Sequence, residues 1–218
     1  MDRNLQHQAQ EANRARIARA NRHLKLALNT SIKEDAKHLI HVHVRLSIIL
    51  WMAWLEASVL WLACHPRVDN ADRDITLAKK THEQKWRALV ERLAARQPRA
   101  RRSSCGTLLD WVNGDIRVYA ELRNKLAHGQ WEVCLTSDHA KRNPATTKRV
   151  LELTKGDVLK LKAVAEELVD LTERLIVSPA AFDVELPKSR ERIDTARRQY
   201  SGDIEWLLSE LRRKRRRI

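Results

Sequence analysis

Glycine and proline are scarce in this chain, five of each in 218 residues, and so are aromatics other than tryptophan: two tyrosines and one phenylalanine. Scarce glycine and proline leave few places where a helix must stop. Together with abundant Ala, Leu, Arg, Lys and Glu, this favours an all-α fold over a turn-rich β architecture. The three cysteines, Cys64, Cys105 and Cys134, are odd in number and far apart. That argues against a disulfide framework and a cysteine zinc cluster, and suits a reducing, cytoplasmic setting. The opening residues, MDRNLQHQAQEANRARIARAN, are polar and charged and do not read as a signal peptide. No Gly-rich phosphate loop, paired-acid metal site, Ser/Cys–His triad or helix-turn-helix signature stands out, so neither cofactor nor metal is expected.

Positive charge, in contrast, is plentiful. The formal net charge is +14 and the pI about 10.2. A surface this basic suits a polyanion, and RNA or DNA is the usual one. Hydrophobic residues make up 43%, enough to build a core. They concentrate in Leu46–Ala63, LSIILWMAWLEASVLWLA, which is short for a membrane span and carries Glu56 near its middle. A buried core or dimer-interface helix explains it better than a membrane. Glu56 needs a partner there, and Arg123 or Arg45 could supply it.

The periodicity predicts a basic helix over 3–28, broken by Asn29, Thr30 and Ser31, and an apolar helix over 32–63. A polar stretch runs to about 80. Thr81 and Gln84 then form a capping-box pattern for a helix over 82–96. Residues 98–106, PRARRSSCG, read as a basic loop whose Arg101 and Arg102 could contact RNA phosphates. A further helix ends at His128, with a kink expected at Asn113–Gly114 and Gly129 at the C′ position. Segments 131–136 and 148–153 have β-branched, alternating character and could pair as a short hairpin. Thr154 and Asp157 cap a helix over 155–177. Pro179 and Pro187 bracket a linker, and two short helices follow, over 188–199 and 202–216.

The stretch Tyr119–Trp131, YAELRNKLAHGQW, carries the chemistry. Arg123 and His128 are separated by four residues at the end of an amphipathic helix, and Asn124 follows the arginine. This resembles the R-x4-6-H motif of the HEPN superfamily, down to the polar residue after the arginine and the Ala-His-Gly ending. The resemblance implies a HEPN-like helical bundle over 31–178, flanked by a basic N-terminal helix over 1–30 and a C-terminal helical extension over 179–218 with a basic tail. It also implies a homodimer in which two motif helices form one composite cleft, and a metal-independent endoribonuclease of the kind found in prokaryotic toxin–antitoxin and phage-defence systems. Its restraint would fall to an antitoxin protein or a regulatory RNA. The products implied are a 2′,3′-cyclic phosphate and a 5′-OH.

The residue types suit that chemistry by themselves. Histidine titrates near neutrality and can move the proton of a 2′-OH or of a leaving oxygen. Arginine can grip phosphate oxygens through two N–H groups and stabilise charge as it develops. On an ideal helix the two side chains diverge by about 140°, so fraying at Gly129 has to bring His128 round. Asn124 could orient the histidine or hold a phosphate, Lys125 could contact the RNA backbone, and Glu56 could orient Arg123. Arg212, Arg213, Lys214 and Arg215 in the RRKRRR tail are the strongest non-specific phosphate contacts. The structural alternative is that His128 only favours a helix C-terminus and Arg123 only pairs with Glu121 or Glu56. His38, His41 and His43 are spaced two or three apart, which suits no metal site by itself. Trp131 either packs in the core or stacks a base.

Overall fold

The computed structural model of the chain describes residues 3–136 and 140–201. Among them the fold is all-α. Helix α1 (Arg3–Lys33) and helix α2 (Lys37–Ala63) form a long antiparallel hairpin. Its register runs from Arg3 donating to the His65 carbonyl, through Arg14 on Ser58, to Ser31 on His43. The chain does not break at Asn29–Ser31 as the cap-forming residues predict. The Ser31 hydroxyl donates back to the Ala27 carbonyl at 3.0 Å inside α1, and the reversal comes at Asp35, with φ 55°.

Helix α2 is the centre of the fold. Ile48, Met52, Leu55, Val59 and Leu62 are fully or almost fully buried against Trp86, Leu89, Leu122, Leu126, Leu161 and Leu168. Its length and hydropathy would allow it to cross a membrane, but 56% of its most apolar window is buried inside the protein, which makes it a core helix. The stretch expected to be polar loop contains α3 (Asn70–Leu77), capped by Asp69, whose carboxylate accepts from Ala71 N at 2.9 Å. Asp72 of α3 is buried and pairs at 2.7 Å each with Arg92 of α4 (His82–Ala95) and with Arg96, which caps that helix. The Thr81–Gln84 capping box is formed as expected.

Three local expectations are corrected. The basic segment 98–106 is no loop but the first half of α5 (Arg99–Trp111), because Cys105 and Leu108 are drawn into the core and packing outweighs the weak propensity of Ser, Cys and Gly. The hairpin reduces to one antiparallel bridge, Leu135 with Arg142. Asn143 and Pro144 instead start α7 (Pro144–Leu151), Asn143 Oδ1 accepting from Thr146 N at 3.0 Å, so the KRVL part of the second segment is helical. The linker between Pro179 and Pro187 is the start of α9 (Pro179–Ser201), in which Phe182 and Leu186 are buried and exposed Pro187 removes only one backbone donor.

The kink expected at Asn113–Gly114 is a π-helical turn, Val112–Ile116, joining α5 to α6 (Arg117–Ala127). Helix α8 (Lys155–Val177) has the expected capping box of Thr154 and Asp157 and lies along α2 and α9. Ion pairs and hydrogen bonds fasten α9 down: Arg192 to Glu167, Arg197 to Asp115, Arg101 to Asp183, and Arg190 to Thr107. The basic C-terminal helix expected over 202–216 lies outside the described residues.

Candidate active site

Helix α6 is held on α2 by Leu122 and Leu126, both 2% exposed, whose spacing of four leaves Arg123 and Asn124 on the rim of the contact. Arg123 Nη2 lies 3.6 Å from Glu56 Oε2, and Arg123 Nη1 donates to Asn124 Oδ1 at 3.2 Å. The expected Glu56 partner is therefore Arg123. Arg45 turns instead towards Trp131, its guanidinium 5.9 Å from the ring centroid. Glu121, the other carboxylate in reach of the motif, accepts from the Thr146 hydroxyl at 3.1 Å.

Glu56, Arg123 and Asn124 line a surface recess of about 430 Å³ with Lys80, His82, Glu83, Arg117 and Glu121. Lys80, Arg117 and Arg123 face Glu56, Glu83 and Glu121, so the recess is close to charge-balanced. His82 is the residue that sequence reasoning missed. It is 8% exposed, its Nε2 has no hydrogen-bond partner among the described residues, and burial holds its pKa below the ordinary histidine range. Glu56 opposes that shift and Arg123 adds to it. The capping box at Thr81 marks residue 82 as the first in α4, but nothing in the local pattern says that this turn faces α2.

His128 is the C-cap of α6, with φ −90° and ψ 17°, and Gly129 follows with φ 75°, as the Ala-His-Gly ending predicts. Its ring is exposed and makes no hydrogen bond among the described residues. It does not line the recess that holds Arg123. Within the chain the two motif residues therefore do not share one recess: Arg123 lies in the body of α6 and His128 is its C-cap, diverging as their helical spacing dictates.

The other candidates are largely engaged within the chain. Lys125 Nζ donates to the Leu135 carbonyl at 2.5 Å and braces the loop after α6. Arg101 forms a two-pronged pair with Asp183, and Arg102 donates to the Ala95 and Gln97 carbonyls. Trp131 packs against the core and donates through Nε1 to the Leu126 carbonyl at 2.9 Å. His43 is bonded to Ser31, and the described residues contain no group of three or more His, Cys, Asp or Glu suited to a metal ion. Arg212, Arg213, Lys214 and Arg215 lie outside the described residues.

Comparison with protein-family models, with curated proteins and with solved structures finds no match for this chain.

Proposed function

We propose that this protein is a metal-independent endoribonuclease of the HEPN type, acting in the cytoplasm as a homodimer in a prokaryotic toxin–antitoxin or phage-defence setting. The observation that carries the reading is the arrangement of α6. Arg123 is turned by Glu56 into a recess also lined by Asn124, and an exposed, unbonded His128 ends the same helix. Pairing two such helices across a dimer axis would set the histidine of one protomer towards the arginine of the other.

In that cleft a histidine takes the proton of a ribose 2′-OH. The 2′-oxygen then bonds to phosphorus, the bond from phosphorus to the 5′-oxygen breaks, and the leaving oxygen collects a proton from the second histidine. Arg123 and Asn124 hold the phosphoryl oxygens while charge develops on them. Glu56 keeps Arg123 in place. The net charge of +14 supplies long-range attraction for RNA.

One observation favours a second reading, a non-catalytic RNA-binding or dimeric interaction module. Glu56 already partners Arg123, and the recess balances its cations with carboxylates. Cleavage of labelled total RNA in EDTA separates the two. Under the first reading the wild type cuts, and Arg123→Ala and His128→Ala each lose about 10²–10⁴-fold. Intact RNA that is bound in a salt-sensitive way supports the second reading, and cutting unaffected by either substitution overturns the site.

A further inference from the structure

Helices α1 and α8 both pack on α2 but barely meet each other. Between them lies a groove of about 330 Å³ whose floor is α2. Asn21, Lys25 and Leu28 come from one face of α1, Ser47, Trp51 and Trp54 from α2, and Lys155, Val158 and Lys162 from α8. The groove shares no residue with the recess at Arg123, so a ligand bound here is independent of the cleavage reading.

Three buried polar side chains line this mainly apolar groove, and one of them, Ser47, is satisfied by donating to the His43 carbonyl at 2.7 Å. Asn21 is 8% exposed, and neither its Oδ1 nor its Nδ2 has a partner among the described residues. A buried carboxamide with both donor and acceptor unpaired is rare unless something completes it. Lys155 is 7% exposed; its Nζ donates to Asn29 Oδ1 at 2.8 Å and ties α8 to α1 at one end of the groove. Burial, helped by Lys25, lowers its pKa to about 8, so it still carries charge at neutral pH. Lys25 and Lys162 add positive charge at the rim, and only Glu166, paired with Lys162 at 3.0 Å, opposes them. Trp51 and Trp54 stand edge to face, with centroids 5.5 Å apart.

Each feature restricts the occupant. The cations ask for an anion. The tryptophans ask for a flat apolar body. Asn21 asks for an edge that both donates and accepts, which an alkyl chain lacks and a nucleobase has. The volume lies near the bottom of the range of roughly 300–1,000 Å³ typical of small-ligand sites, room for one unit of this kind. We propose that the groove between α1, α2 and α8 binds a single nucleotide, its base on the tryptophan floor and read at its edge by Asn21, its phosphate held by Lys25, Lys155 and Lys162.

The probes are the four 5′-ribonucleoside monophosphates and a 2′-O-methyl hexanucleotide, which 2′-OH attack cannot cut, titrated calorimetrically into the full chain. At least one probe should bind saturably, weakened about tenfold or more by Asn21→Leu and by Lys155→Met. Binding of a monophosphate means a free nucleotide is taken. Binding of the hexanucleotide alone, with the same sensitivity to Asn21→Leu, means the occupant is a residue of an RNA strand. Absence of binding by every probe, or binding indifferent to both groove substitutions, would overturn the proposal. Circular dichroism reports whether each variant folds; if Asn21→Leu does not, Asn21→Ser takes its place.

Discussion

Arg123 and Glu56 meet across the contact of α6 with α2, Nη2 to Oε2 at 3.6 Å, with side-chain exposures of 31% and 40%. A pair this open to water contributes about 0.2–1 kcal/mol to stability at most. Under the proposed function its value lies in where it puts the guanidinium.

Activity and stability should consequently separate at Glu56. Glu56→Gln should lower RNA cleavage by roughly tenfold, equivalent to about 1.4 kcal/mol at the transition state, while the urea midpoint scarcely moves. Cleavage rate and equilibrium unfolding, measured on the same preparation, check it. An unfolding shift well beyond the pair's worth with unchanged cleavage would make the pair structural.

Gly129 carries the left-handed backbone that ends α6, φ 75°, and a Cβ there would meet nothing within 4 Å. Gly129→Ala therefore introduces backbone strain without a clash and should cost about 1 kcal/mol, read from chemical denaturation. The same strain acts on the turn that orients His128, so cleavage should fall as well.

His82 gives the stability a pH dependence of known sign. Its folded pKa is lowered, chiefly by burial, so below about pH 6.5 the unfolded chain binds a proton that the folded chain resists. The stability it confers is present above the unfolded pKa and is lost as pH falls through that value towards the folded one. Denaturation at pH 7.5 and pH 5 should show a smaller loss in His82→Gln than in the wild type. Equal losses would sink the assignment.

Lys155 acts in the alkaline range. Its folded pKa of about 8 lies below the ordinary 10.5, so between those values the unfolded chain holds the extra proton and stability from this group rises with pH. Other lysines, tyrosines and cysteines titrate there too. The test is therefore the difference between wild type and Lys155→Met at pH 7.5 and 9.5, where the wild type should gain stability relative to the variant.

Much of the local structure was written in short patterns. Thr81 with Gln84 and Thr154 with Asp157 mark two helix starts because each pair satisfies backbone donors within one turn, whatever surrounds it. Gly129 marks a helix end because its φ is accessible to glycine alone at little cost. The apolar run around Glu56 marks a core helix, and RNKLAHG places Arg123 and His128 at one helix terminus.

What the residues alone determined is thus helicity, the starts of α4 and α8, the end of α6, the buried stripe of α2 and the motif's position, since these depend on interactions within a few residues. Tertiary structure decided the rest. Residues 98–106 became helix because Cys105 and Leu108 could be buried. Pro179–Pro187 became helix because Phe182 found the core. Glu56 chose Arg123 over Arg45, His82 turned inward beside them, and Asn21 and Lys155, distant in sequence, came to line one groove. Those outcomes rest on which helix faces meet, a relation between distant segments that no local pattern contains.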